Sequence, residues 1–270
     1  MSQPASAIGL RSLCFNVLFY VNLIVLMILG LPAMLLGRHG VFFMARTWAY
    51  SSIWLLEKIC GLKLEFRGLG NMPQGGYILA SKHQSFLETF SLVTRTPDFA
   101  IILKRQLIFV PIFGLYLAVS GQIGIDRSKG RSALQQIIEI AGQVLRSGRQ
   151  VYIYPEGTRR SPGAEPQYKA GVAFLYEATG APCLPVALNT GMFWGRRGFL
   201  RRPGTAVIEF LPVIPPGLPR DVFFERLKSD IETASNRLVE EARVALRQQA
   251  GAGGVSEDAP AAAEVGRGRK

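Results

Sequence analysis

The 270-residue chain contains two histidines, His39 and His83, so any proton transfer by an imidazole falls to one of them. His83 stands in Ser81-Lys82-His83-Gln84-Ser85-Phe86-Leu87-Glu88, with a carboxylate five residues on. A histidine oriented by a carboxylate is a general base suited to a hydroxyl. Inside one continuous helix a five-residue offset turns the two side chains about 140° apart, too wide for contact. The pair can meet only if His83 lies in the turn before a helix. Ser85 is then a natural N-cap and Glu88 the third helical residue. The same Ser85-x-x-Glu88 spacing is a capping box, which needs no catalysis.

Three further segments carry polar chemistry. Tyr154-Pro155-Glu156-Gly157-Thr158-Arg159-Arg160 follows an apolar run. Gly157 lets the backbone turn or approach a ligand, and Thr158 with Arg159 offers the hydroxyl and guanidinium donors that suit a phosphate. An ordinary turn with solvated arginines explains the segment equally well. Gly121-Gln122-Ile123-Gly124-Ile125-Asp126-Arg127 reads as a short strand ending in an Asp-Arg pair, and a surface ion pair of that kind contributes little. Lys104 and Arg105 follow another strand candidate. Met192 to Arg202 interleaves Arg196, Arg197, Arg201 and Arg202 with Phe193, Trp194, Phe199 and Leu200. That composition suits an anionic bilayer surface or single-stranded nucleic acid, or a loop whose aromatics point into the core. The hydrophobic N-terminus favours the bilayer.

The elements that must position these residues are legible in outline. From Ser12 to Gly37 no residue is charged, with Arg11 before and Arg38 after, and about 20 apolar residues suffice to cross a bilayer. Only Asn16, Asn22 and Pro32 interrupt the run. The run is longer than the usual apolar core of a signal peptide, and no convincing small-residue cleavage site follows it. Val41 to Gly61 mixes aromatic residues with Arg46, Glu57 and Lys58, as an interfacial helix does. Basic residues gather after the apolar run (Arg38, Arg46, Lys58), which places the remainder on the cytoplasmic side of an inner or plasma membrane.

From Lys63 onward short apolar runs alternate with amphipathic stretches. Leu64–Arg67, Tyr77–Ala80, Phe99–Leu103, Gln122–Ile125, Val151–Tyr154, Cys183–Leu188 and Ala206–Leu211 read as strands. Arg131–Ser147 and Asp221–Arg247 read as helices from their three-to-four-residue apolar repeat. Gly148 marks a stop. The expected fold is α/β, a mixed sheet flanked by helices and preceded by a hydrophobic, membrane-associated helical segment. The divisions are an anchoring segment over 1–61, a catalytic domain over 62–250 and a disordered tail over 251–270, where Gly, Ala and charge cannot bury a core.

Lys and Arg number 31 against 19 Asp and Glu, a net charge of +12, which fits an anionic partner. Cys14, Cys60 and Cys183 are too few and too far apart for a disulfide framework or metal spacing, and point to a reducing compartment.

Taken together and in this order, the segments resemble the glycerolipid acyltransferase family typified by 1-acyl-glycerol-3-phosphate acyltransferase. The family's His-x-x-x-x-Asp resembles His83 to Glu88. Its second block resembles Gly121 to Arg127, its Phe-Pro-Glu-Gly-Thr-Arg resembles Tyr154 to Arg159, and its hydrophobic-Pro-hydrophobic strand resembles Leu184-Pro185-Val186. The run Lys104 to Gly114 also resembles the stretch between the first two blocks. The resemblance covers Leu64 to Leu211. Glu88 departs from the family's usual Asp; it keeps the charge and adds one methylene, so His83 must shift slightly to be oriented.

The resemblance implies direct acyl transfer from acyl-CoA or acyl carrier protein to a lysophospholipid, lysophosphatidic acid by default, with no acyl-enzyme, metal or cofactor. His83 would be the base and Glu88 its orienter. Arg159, with Lys104 and Arg127, would hold the acceptor's phosphate, while Glu156, Gly157 and Thr158 shape the pocket. The oxyanion donors are not assigned, since backbone amides cannot be read from sequence. Two alternatives stand. One is a different lyso-lipid acceptor, such as an ornithine-containing one. The other is a non-catalytic module that binds anionic lipid or nucleic acid, which would leave His83 and Glu88 without a task.

Overall fold

A computed structural model describes residues 5–126 and 130–251. Arg127, and the expected tail from residue 252 on, lie outside the described residues. All seven expected strands are present: β1 (Leu62–Arg67), β2 (Ile78–Ser81), β3 (Phe99–Lys104), β4 (Ile123–Ile125), β5 (Gln150–Ile153), β6 (Cys183–Leu188) and β7 (Gly204–Phe210). They form one sheet in the order β1-β7-β6-β2-β5-β3-β4. The five strands from β6 to β4 are parallel, whereas β7 is antiparallel to β6 and parallel to β1. Strands of a covered parallel sheet are buried on both faces and read as unbroken apolar runs, as Ile78-Leu79-Ala80 and Cys183–Leu188 do.

The helices are α1 (Ala5–Leu29), α2 (Gly37–Cys60), α3 (Leu87–Ser91), α4 (Phe113–Val119), α5 (Gly130–Arg146), α6 (Gly171–Thr179) and α7 (Arg220–Gly251). Ile78, Ala80, Val151 and Cys183 pack beneath α5, α6 and α7 through Ala141, Leu175, Tyr176, Phe223 and Leu227. On the other face Tyr77, Leu79, Tyr152 and Leu184 pack against Phe42 of α2 and against Leu92 and Val93 after α3. Gly148 follows α5 with φ +80°, the stop expected of a glycine that needs no Cβ clearance. The helix expected after Ser85 is α3, and the short helices α4 and α6 are additions to the sequence reading.

The N-terminal segment is a helical hairpin whose inner face belongs to the globular body. Along α1, Phe15 and Phe19 are buried, while Leu13, Val17, Val21, Ile24 and Ile28 are exposed. Over Ser6–Leu29 this helix is long and apolar enough to cross a membrane. Its asparagines, read above as interruptions, are joints: Asn22 Nδ2 donates to Ser51 Oγ at 2.8 Å and Ser52 Oγ at 3.2 Å, and Asn16 Oδ1 accepts from Arg201 at 2.7 Å. Farther along, Tyr116 of α4 donates to the Met27 carbonyl at 2.9 Å.

Those contacts take Phe193, Trp194 and Arg201 out of the surface expected of the arginine-rich loop. Phe193 and Trp194 are core residues, packed with Phe15, Phe19 and Phe90. Arg201 is buried; it lies over Trp194 with the guanidinium carbon 3.8 Å from the ring centroid, and it donates to the carbonyls of Gly198 and Phe199. Arg196, Arg197, Phe199, Leu200 and Arg202 are exposed.

Candidate active site

Because β2, β5, β6, β3 and β4 are parallel, the turns after them gather at one edge of the sheet. Ligands bind at that edge in open α/β sheets. The chain leaves β2 at Ser81, turns through Lys82-His83-Gln84-Ser85 and enters α3 at Leu87. His83 therefore lies in the pre-helical turn, the one placement that closes its distance to Glu88. His83 Nδ1 and Glu88 Oε1 are 2.9 Å apart. Glu88 is the second residue of α3, one position earlier than expected.

Glu88 is fully buried, and four donors saturate it. Oε1 accepts from the Gln84 N–H at 2.9 Å, the Ser85 N–H at 2.7 Å and His83 Nδ1. Oε2 accepts from Thr190 Oγ1 at 2.7 Å. The Leu87 N–H donates to Ser85 Oγ at 3.1 Å. The Ser85 N–H bond to Glu88 makes the carboxylate half of the expected capping box, while the helix itself begins one residue later, with Phe86 at its cap. With Oε1 accepting from two amides, the proton of the contact belongs on Nδ1, which leaves the Nε2 lone pair as the basic position. The imidazole side chain is 15% exposed and stacks on Tyr154 with ring centroids 4.1 Å apart. The amides of Gln84 and Ser85 are spent on Glu88 and are not oxyanion donors.

The turn after β5 lies alongside. The Arg160 N–H donates to the His83 carbonyl at 2.8 Å. Gly157 has φ +66°, a conformation that glycine adopts without strain, and its N–H closes the turn on the Tyr154 carbonyl at 2.8 Å. Glu156 is buried and faces inward: Oε1 takes Lys82 Nζ at 2.9 Å, and Oε2 faces the His83 N–H at 3.4 Å. Burial pushes its carboxyl above the usual range, and the adjacent ammonium of Lys82 opposes that push. Thr158 is exposed and Arg159 half-buried. The guanidinium carbon of Arg159 is 5.8 Å from the Phe86 ring centroid, and no carboxylate pairs with it among the described residues. Lys104 is exposed at the end of β3. Two strand spacings separate β2 from β3, so the Lys104 backbone stands about 10 Å from the base's strand. Arg127 lies outside the described residues, directly after Asp126.

Thr190 and Lys82 were missed by the sequence reading. Thr190 belongs to the turn after β6, where the Gly191 N–H also donates to Gln84 Oε1 at 3.1 Å. A hydroxyl just past the end of an apolar strand was the available signal. Lys82, next to the base, carried no signal beyond that adjacency.

The arrangement offers an oriented imidazole on the turn next to a guanidinium that no carboxylate pairs with among the described residues, which suits proton removal from a hydroxyl on an anionic molecule. Comparison with known proteins agrees. A family profile described as Acyltransferase matches residues 63–189. The chain is 37% identical over 172 residues to a 1-acyl-sn-glycerol-3-phosphate acyltransferase of Pseudomonas aeruginosa, covering 64% of this chain and 67% of that protein. It is 27% identical over 212 residues to the human 1-acyl-sn-glycerol-3-phosphate acyltransferase beta, covering 76% and 71%. The fold is that of the 1-acyl-sn-glycerophosphate acyltransferase from Thermotoga maritima, with a TM-score of 0.73, 19% identity, and coverage of 86% of this chain and 97% of that one.

Proposed function

The chain belongs to the acyltransferase family of the 1-acyl-sn-glycerol-3-phosphate acyltransferases, and from that premise we propose that it transfers a fatty acyl group from a thioester to the sn-2 hydroxyl of lysophosphatidic acid, giving phosphatidic acid for phospholipid synthesis. One observation carries the mechanism: His83 Nδ1 lies 2.9 Å from a Glu88 carboxylate that four donors hold in place. His83 Nε2 takes the proton of the acceptor hydroxyl as its oxygen attacks the thioester carbonyl. The tetrahedral intermediate collapses, the imidazolium returns the proton to the leaving thiolate, and ester and free thiol depart. Glu88 holds the tautomer and stabilises the imidazolium.

Arg159 binds the acceptor's phosphate, with Lys104 at the end of β3 and Arg127 as further cations. Gly157 and Thr158 shape the turn that presents Arg159. The donor is acyl-CoA or acyl carrier protein. The exposed apolar face of α1 holds the enzyme on the membrane, with the catalytic domain on the cytoplasmic side.

The test is acyl transfer from a radiolabelled thioester, by enzyme in purified membranes, to a panel of lyso-lipids. Lysophosphatidic acid should be the preferred acceptor, and lyso-lipids without an exposed phosphate monoester should be poor ones. Equal or better transfer to a lyso-ornithine lipid would overturn the acceptor assignment, and no transfer to any acceptor would overturn the activity.

A further inference from the structure

Beneath the two active-site turns lies a buried charge cluster that the reaction itself does not use. Lys82 directly precedes His83, is 3% exposed, and donates to Glu156 Oε1 at 2.9 Å and to Glu232 Oε1 at 2.6 Å. Glu156 stands three residues before Arg159. Glu232 comes from α7, and Tyr168 donates to its Oε1 at 2.9 Å. The Lys169 N–H fastens the same loop to the Pro155 carbonyl at 3.0 Å. The cluster thus joins four separate segments: the turn after β2, the turn after β5, the loop before α6, and α7.

A buried lysine is costly unless it is paired, and apolar replacements of buried ion pairs are often no less stable. Stability alone therefore gives a weak reason for this cluster. Its position gives a better one. The Lys82–Glu156 pair bridges the residue next to the base and the turn that presents the phosphate-binding arginine. Resting on the functional reading above, we propose that Lys82, Glu156 and Glu232 form a staple that sets the spacing between His83 and Arg159, so that the acceptor's phosphate is gripped at the distance that brings its hydroxyl to the base. Lys82 and Glu232 are positioning residues in this account. Glu156 belongs with them and does not line the acceptor pocket, because both its oxygens face inward to Lys82 and the His83 amide.

A staple of this kind matters only while both ends are in use, and a double-mutant cycle reads that directly. The full-length enzyme in detergent micelles is assayed as Lys82→Met, Arg159→Ala and the double variant, and kcat/KM for lysophosphatidic acid is compared. Misplacement on the ångström scale costs on the order of a hundredfold in rate, so Lys82→Met should lose at least about tenfold. In the Arg159→Ala background it should lose only about two- to threefold more, because no phosphate anchor remains to be spaced. Equal losses in both backgrounds would make Lys82 a purely structural residue and overturn the proposal.

Glu232→Gln preserves shape and hydrogen bonding and repeats the cycle if Lys82→Met does not fold; a smaller loss that again vanishes without Arg159 is expected. Wild-type kcat/KM in folded Lys82→Met or in Glu232→Gln also overturns the staple. A second readout needs no acyl transfer, so failure of the staple stays separate from failure of the functional reading. The chain has two histidines, and exposed His39 on α2 serves as a reference in 15N-histidine NMR. The His83 imidazole signals should shift in Glu232→Gln while those of His39 stay fixed. An unchanged His83 spectrum contradicts the proposal whatever the acceptor proves to be.

Discussion

His83 and Arg159 occupy adjacent turns at one edge of the sheet, yet the protein treats them in opposite ways. Around His83 the carboxylate and the backbone groups that hold the ring are already matched. Glu88 is saturated by four donors, the His83 carbonyl accepts from Arg160, and Tyr154 covers one face of the ring. Around Arg159 the polar groups are left over: the guanidinium lies near the Phe86 ring and pairs with no carboxylate among the described residues, Thr158 is exposed, and Lys104 faces solvent. Proton transfer needs geometry fixed before the substrate arrives, whereas an anion site needs cations that the protein has not itself neutralised. Arg201 sharpens the contrast. It is also an arginine beside aromatic rings, but it is spent on Asn16, on loop carbonyls and on Trp194, and burial pulls its guanidinium down to about 10. What separates a binding arginine from a structural one here is the inventory of partners already in place.

The largest effect that would break this comparison lies on the matched side. Glu88→Gln keeps the size of the side chain but cannot hold the imidazolium, so the transfer rate should fall by ~10²–10⁴ with little change in melting temperature. Glu88→Asp keeps the charge without reaching all four donors and should retain an intermediate rate. A capping role alone predicts near-normal turnover for Glu88→Gln, because Gln serves a capping box as Glu does. Initial rates and thermal melts on the same preparations distinguish the two.

On the open side the effect should be smaller and should appear in binding. A charge-assisted hydrogen bond contributes about 1.5–3 kcal/mol, so Arg159→Ala should raise the KM for lysophosphatidic acid by about ten- to a hundredfold and leave the donor KM nearly unchanged. Arg159→Lys restores the charge without the planar fork and should recover part of that loss. An acceptor KM equal to wild type in both variants would move the phosphate site to Lys104 or Arg127. Arg201→Ala should have the smallest kinetic effect of the three. It leaves Asn16 and several loop carbonyls without their donor, a loss on the order of 1–3 kcal/mol of stability, while acceptor KM stays within about twofold for the folded variant. A large acceptor-specific KM change there would erase the distinction between the two arginines.

The sequence revealed the parts of this molecule whose physics is local. Cys183–Leu188 is read to the residue because a strand buried on both faces is an unbroken apolar run, and α5 shows its repeat over several turns. Helices α4 and α6 were not read, because two turns are too short for a 3.6-residue period to stand out. His83 and Glu88 were legible as a pair because their contact spans five residues, and the turn they require follows from helix geometry. Thr190 and Glu232 were not read: each reaches its partner across more than a hundred residues of chain, and Thr190 leaves no local mark beyond a hydroxyl just past an apolar strand. Arg201 shows the opposite failure. Its surroundings have the composition of a membrane-facing loop, and only the joint with Asn16 of α1 reveals that it is an interior residue.

The account stands most directly on the identity of the base. Purified, folded His83→Ala should lose ~10²–10⁴ of the acyl-transfer rate from the thioester to lysophosphatidic acid, with its melting transition preserved and both KM values close to wild type wherever residual turnover can be measured. A folded His83→Ala enzyme that kept more than about a tenth of the wild-type rate would contradict the assignment, because no other oriented imidazole exists in the chain to replace it.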